Sequence, residues 1–309
     1  MRIVHEQERP NNVALGVALI VGALFITSVQ DVIFKFFSSA LPLGQIFALR
    51  ALLALPLLYA VSVLQKTDKG LLNDAFRPWV LLRSLCMTLM FLLFYGAIPF
   101  VSLSVLGAGT YTAPIFVTVL SAYAIGESVD RRGWCAVVLG FVGVLVLLRP
   151  GTDVFSFWAL APVVGAVFYA IGHILTRTKC QTVPIAALAV SLTITMLVAG
   201  LSVSAALLLW PPDEATAHAY PNLLGNWVPV GQNEWVVLGV LAVLTVLIGL
   251  GIAGAYKIAI PSTVATFEYS YLVFVVVWDS LFFDSVPTMV TLMGMLMIIG
   301  SGYMILKRE

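Results

Sequence analysis

The chain has 309 residues, 61% of them hydrophobic and only 10% charged, with a mean hydropathy of +1.04 and a formal net charge of +1. Soluble domains run near a quarter charged, so this composition belongs in a bilayer, and the near-zero balance implies no bulk attraction to nucleic acid. Three isolated cysteines, Cys86, Cys135 and Cys180, offer neither a disulfide framework nor metal-ligand spacing, and no strands of alternating polarity suggest an outer-membrane barrel.

Residues 1–12 form a short polar tail. The first apolar run, Val13 to Phe37, is longer than the roughly 7–15 residues of a signal-peptide core, so it reads as an uncleaved span. Nine more runs follow, giving spans over roughly 13–37, 42–64, 77–97, 101–125, 132–148, 155–175, 184–210, 235–257, 261–283 and 288–306. Each approaches the roughly 20 helical residues that cross a hydrocarbon core. Very short links force successive helices to lie antiparallel and adjacent. The expected fold is therefore all-α, a polytopic membrane protein of ten transmembrane helices.

Polar residues inside these runs are costly in lipid and so are the first candidates for function. Span 1 carries Gln30 and Asp31, with Lys35 one turn beyond as a possible local partner of Asp31. Span 2 carries Arg50, at a depth that matches Asp31. Span 3 carries Arg83, which either snorkels or meets a carboxylate, Glu268 being nearest in depth. Span 4 carries Tyr111 in GTYTAP, and Pro114 just after it would free backbone carbonyls. Pro56 and Pro162 are similarly placed in spans 2 and 6. His173 in span 6 is either a hydrogen-bonded packing residue or a substrate contact. Tyr256, at the inner end of span 8, reads as a gate or an interfacial anchor.

Span 9 holds Glu268 in TFEYSY, followed by Tyr269, Ser270 and Tyr271. An acid there needs a cavity, or a permanent pairing with an arginine or backbone. Asp279, near the other end of this span, is expected to reach the interface. Glycines recur in span 5 (Gly140, Gly143), span 8 (Gly249, Gly251, Gly254) and span 10 (Gly294, Gly300, Gly302), where small surfaces let backbones approach closely. Spans 5 and 10 carry no buried charge and suit the periphery or a homodimer contact.

The two halves echo one another. Sliding the first forward by about 157 positions sets Glu127 on Asp284, Gly143 on Gly300 and Tyr111 on Glu268, and an offset of about 143 sets Gln30 on His173. Placing the N-terminus in the cytoplasm puts Arg2, Arg9, Lys66, Lys69, Arg77, Arg131, Arg132, Arg177, Lys179, Lys257, Lys307 and Arg308 inside, against only Lys35 and Arg149 outside. That asymmetry sets the orientation, both termini inside. Five spans per half then makes the repeat inverted, a pattern of secondary transporters. The domains are a 1–12 tail and repeats over 13–148 and 155–306. The long connection 211–234, with four prolines and no basic residue, faces outward as a solvated linker, a lid or a docking loop.

The Leu49-Arg50 pair, the stretch APIFVTVLSAYAIGE ending at Glu127, and FEYSYLVFVVVWDSLFFDSVPTMVTLMGMLMIIGSGYMILKRE at the end resemble the drug/metabolite transporter superfamily in its EamA-like branch. Asp284 stands where that family more usually has Glu. The resemblance implies two inverted five-helix repeats in a bacterial-type inner membrane and transport of small metabolites by alternating access. It places Gln30, Arg83, Tyr111, His173, Glu268 and Tyr271 around a central cavity. Arg50, Asp31, Pro114 and Tyr256 are expected in structural or gating roles. The sequence carries no P-loop, HExxH or GxSxG, so no enzyme, cofactor or metal is expected. The expected partners are a small-molecule substrate and the lipid bilayer. The alternative is a non-transporting scaffold or receptor that uses the loop 211–234.

Overall fold

A computed structural model describes residues 13–120, 131–149, 156–258 and 267–306. Every regular element among them is helical. The helices are α1 (Val13–Phe37), α2 (Leu43–Leu64), α3 (Leu71–Ala75), α4 (Pro78–Ala97), α5 (Leu103–Thr110), α6 (Ala113–Leu120), α7 (Arg131–Leu148), α8 (Leu160–Lys179), α9 (Ile185–Leu209), α10 (Glu214–Ala219), α11 (Pro221–Leu224), α12 (Gln232–Ile258), α13 (Ser270–Phe282) and α14 (Met289–Leu306). A 3-10 turn, Phe157–Ala159, leads into α8. Seven helices among the described residues are long and apolar enough to cross a membrane, and three shorter apolar stretches, Leu103–Val117, Ser270–Phe282 and Met289–Ser301, accompany them.

Two of the expected spans depart from a simple rod. Between α5 and α6 the helix stops at Tyr111 and Thr112. Pro114 does not break a running ladder there. It occupies the first turn of α6, where its missing N–H costs nothing. Pro56, by contrast, lies within a continuous α2. A second interruption falls at Tyr269, between helical Phe267–Glu268 and the start of α13.

The principal helix neighbours are α7 with α14, α4 with α8, α2 with α9 and α1 with α12. Small residues allow these approaches. A Cβ on Gly200 would stand 2.5 Å from the Gly44 carbonyl oxygen of α2, so α2 and α9 touch backbone to backbone. The glycines Gly140, Gly143 and Gly294 are spent in the same way between α6, α7 and α14: a Cβ on Gly143 would lie 3.1 Å from the Gly294 carbonyl oxygen. These small faces are thus consumed within the chain. What α7 and α14 leave exposed are bulky side chains such as Trp134, Val138, Leu145, Met293 and Leu296.

Contacts gather the helix ends on two faces. On one, the loop face, Lys35 Nζ donates to the Val101 carbonyl at 2.9 Å, Phe100 stacks on Trp158 at 4.2 Å, and Tyr220 packs against both. The connection 211–231 is not a free linker there. It forms α10 and α11, Trp227 Nε1 donates to Ser204 Oγ at 2.6 Å, and Gln45 holds Val228 through both its N–H (3.1 Å) and its carbonyl (2.8 Å). Asp213 caps α10, accepting from the Thr216 amide at 2.9 Å and its hydroxyl at 2.6 Å; these bonds hold its carboxyl below the ordinary carboxylate range. On the opposite face α3 packs under α9, and Leu71, Ala75, Cys180, Val183 and Ala187 form a small second core.

Candidate functional site

The interior divides at the level of the two helix interruptions. Towards the loop face it is packed shut. Phe34, Phe47, Ile98, Leu103, Leu106 and Val275 are at most 1% exposed. Among them runs a continuous polar network. Thr245 of α12 donates to Gln30 Oε1 at 3.1 Å, Gln30 Nε2 donates to Tyr95 Oη at 2.9 Å, Tyr95 Oη donates to Asp31 Oδ1 at 3.1 Å, and Tyr271 Oη donates to Asp31 Oδ2 at 2.6 Å. Four spans, α1, α4, α12 and α13, are tied together by it.

Asp31 therefore does not pair with Lys35, which turns instead to the Val101 carbonyl and lies 4.5 Å over the Phe283 ring. Nor is Arg50 within ion-pair distance of Asp31. Its guanidinium lies 5.4 Å from the Tyr95 ring and 5.5 Å from the Phe47 ring, with Nη2 3.9 Å from the Met196 sulfur and Nη1 without a hydrogen-bond partner. Tyr95 stands between the acid and the base. Tyr95 and Thr245 were not singled out in the sequence, because a tyrosine near a span end and a threonine within one are ordinary residues until a carboxylate is placed beside them.

Asp279 is a correction. Instead of reaching the interface it is fully buried, and its carboxylate accepts from the Leu103 amide (3.0 Å), the Ser104 amide (2.6 Å) and the Ser104 hydroxyl (2.6 Å). It caps the N-terminus of α5 from α13, where the helix's free N–H groups and its dipole both favour an anion. Gly107 lets this join close, since a Cβ there would lie 2.9 Å from the Tyr271 ring.

Towards the other face the same core opens. His173 is exposed and Tyr111, Tyr169, Arg83 and Glu268 are only partly buried. Rings line this space: Tyr111 stands 5.7 Å from Tyr269 and 5.5 Å from Tyr271, and Tyr169 stands 4.2 Å from His173. Arg83 is held by Thr176 Oγ1 at 3.2 Å and the Leu188 carbonyl at 3.4 Å. Glu268 lies within electrostatic reach of Tyr111, Tyr169 and Tyr269, and Arg83 within reach of Tyr169 and His173. Tyr169 thus links the opposite charges. At the interruption itself Tyr269 Oη and Ser270 Oγ are buried with no hydrogen-bond partner.

Of the sequence candidates, Arg83, Tyr111, His173 and Glu268 come together around this vestibule. Gln30 and Tyr271, expected beside them, are buried in the seal above it. Tyr256 lies on α12 and Pro114 on α6, but their side chains fall outside the described ones, as does Glu127 altogether. Asp284 closes α13 with a left-handed φ of +48°, a conformation aspartate tolerates better than most residues. No group of three or more His, Cys, Asp or Glu side chains suited to a metal ion occurs among the described residues.

Known proteins resemble this chain in sequence and fold. Residues 14–149 match the EamA-like transporter family. The chain is 25% identical over 291 residues to the pseudopaline exporter CntI of Pseudomonas aeruginosa, covering 92% of this chain and 93% of that one. It is 29% identical over 177 residues to a riboflavin transporter of Vibrio cholerae (57% of this chain, 53% of the relative) and 22% identical over 201 residues to an S-adenosylmethionine uptake transporter of Rickettsia prowazekii (65% and 62%). A solved crystal structure superposes with a TM-score of 0.59 at 15% identity, over 96% of this chain and 97% of the other, a likeness of fold.

Proposed function

We propose that this chain, an EamA-like transporter family protein through its first half, is a secondary transporter that moves a small polar or amphipathic metabolite through a central cavity by alternating access. The observation that carries the reading is the asymmetry of the interior: a ring-lined vestibule holding Arg83 and Glu268 on one side, a closely packed, hydrogen-bonded seal on the other. In this role Arg83 meets an anionic group of the substrate, Glu268 a cationic group or a donor, and Tyr111, Tyr169 and His173 its apolar faces. Gln30 and Tyr271 reach the substrate only after the seal opens. Arg50, Asp31, Pro114 and Tyr256 serve that opening. The relatives' names include both export and uptake, as suits a carrier whose direction follows the gradient.

We read the architecture as ten spans in two inverted repeats, 13–148 and 155–306, with α5–α6 and the segment ending in α13 as the two interrupted spans. The neighbour pattern supports this. Under exchange of the halves, α4 against α8 becomes α12 against α1, α4 against α9 becomes α12 against α2, and α2–α9 and α7–α14 map onto themselves. Interrupted spans at a midplane site are common in transporters built from such repeats. The basic residues favour an inner-membrane protein with cytoplasmic termini, which makes the vestibule inward-open. A homodimer would use the bulky outer surfaces of α7 and α14, their glycine faces being occupied.

Two measurements test this. His173→Cys, in a background with Cys86, Cys135 and Cys180 replaced by alanine, reacts with a water-soluble maleimide from the cytoplasmic side. A melting screen of the purified protein against a metabolite library yields a stabilising ligand by mass action, and Glu268→Gln abolishes that shift while the protein stays folded. A vestibule closed to maleimide on both sides, or a shift untouched by Glu268→Gln, defeats the proposal. A scaffold acting through 211–234 has weaker support, because much of that segment is packed onto its own helices.

A further inference from the structure

The network around Asp31 does more than close the passage. Arg50 is 4% exposed and carries a guanidinium nitrogen with no hydrogen-bond partner, while the carboxyl that would answer it is held by two tyrosines on the far side of Tyr95. A permanently charged Asp31 so near a buried, undercompensated arginine would be drawn into a direct pair, which is how buried charges are normally retained. The bonds themselves allow two charge states. Tyr95 Oη accepts from Gln30, so its own proton goes to Asp31 Oδ1. Tyr271 Oη has no other hydrogen-bond partner; across the 2.6 Å contact it donates to Oδ2 of an ionised Asp31, and it accepts from Oδ2–H of a neutral one, its own phenolic hydrogen then turning away. The network therefore persists whether the acid is neutral or ionised.

Tyr271 also spans the boundary between the halves. Its hydroxyl is in the seal, and its ring lies against Tyr111, which is partly exposed in the vestibule. We propose that Asp31 is a proton-binding site that couples substrate movement to a proton gradient, loaded and emptied past Tyr271, with Arg50 as the counter-ion of its ionised form. This rests on the transporter reading above. On unloading, the Asp31 Oδ2–H bond breaks, the proton leaves for vestibule water, and the carboxylate left behind takes Arg50 as partner. That movement displaces Tyr95 and releases the seal. The charged and titratable groups facing Asp31 are Arg50 from α2, Tyr95 from α4, Tyr271 from α13 and Tyr111 from the α5–α6 turn, with Lys35 one turn along α1 itself.

Infrared difference spectroscopy of purified, lipid-reconstituted protein across a pH series tests this without a known substrate. The expected result is a protonated-carboxyl stretch that grows as pH falls, is lost in Asp31→Asn, and changes frequency in Tyr271→Phe as the acid loses that partner. Melting curves confirm that both variants are folded. A wild-type minus Asp31→Asn difference that shows no carboxyl band, or one that does not change with pH, overturns the proposal. So does a band unmoved by Tyr271→Phe. Maleimide labelling of His173→Cys separates the two readings: a titrating Asp31 beside an unreactive vestibule would sink the transporter proposal and leave the proton site standing.

Discussion

Asp279 and Glu268 are carboxylates on the same stretch of chain, one at the far end of α13 and the other just before its start, and they live in opposite worlds. Asp279 is fully buried and its bonds to α5 meet the acid's demand. Glu268 is partly exposed, beside an interruption that leaves Tyr269 Oη and Ser270 Oγ without partners. A satisfied buried polar cluster rigidifies, whereas buried polar groups without partners are costly and call for an explanation. The difference teaches how one stretch of chain can carry an acid that locks two helices together and another that borders an open interruption.

Several experiments break or sharpen that contrast. Asp279→Ala has the largest expected effect. It strands two amides of α5 and a hydroxyl, costing on the order of 3 kcal/mol, and melting in detergent measures it. The same variant should admit maleimide to the passage from the loop face. Gly107→Ala drives a methyl toward the Tyr271 ring and separates α5 from α13, at about 2 kcal/mol for an overpacked contact. Tyr95→Phe removes a hydroxyl that both accepts and donates, destabilising by roughly 1–2 kcal/mol, whereas Tyr169→Phe, in the vestibule, should leave the melting point nearly unchanged. Gln45→Ala frees Val228 and should raise protease cleavage within 211–231, with under about 1 kcal/mol of global cost. The smallest effect is at Asp213. Its carboxyl is held below its ordinary range by Thr216, so the contribution of this cap is present above the ordinary carboxylate pKa and disappears as pH falls through the lowered one. Cleavage near α10 should therefore rise only in acid, and Asp213→Ala should abolish that pH dependence.

Much of this was legible in the residues. Apolar runs predict the helices because lipid leaves a backbone few other ways to satisfy its hydrogen bonds. The break in span 4 was expected at Pro114, but the helix stops at Tyr111 and Thr112, just before it. Arg83, Tyr111, His173 and Glu268 stood out as polar or aromatic groups at depths where such groups are expensive. Other partnerships were not legible. Asp31 looked like a neighbour of Lys35 or Arg50 because sequence spacing and depth are the only rulers a sequence offers. The true partners, Tyr95 and Tyr271, come from other helices at separations of 64 and 240 residues.

By itself, then, the sequence determined that the chain is helical and apolar enough to lie in a membrane, because hydropathy is a local property. Tertiary structure alone decided which partners each acid meets. That choice depends on the rotation of each helix about its axis and on where two small residues let backbones meet. No one-dimensional pattern records that Asp279 would meet the amides of Leu103 and Ser104.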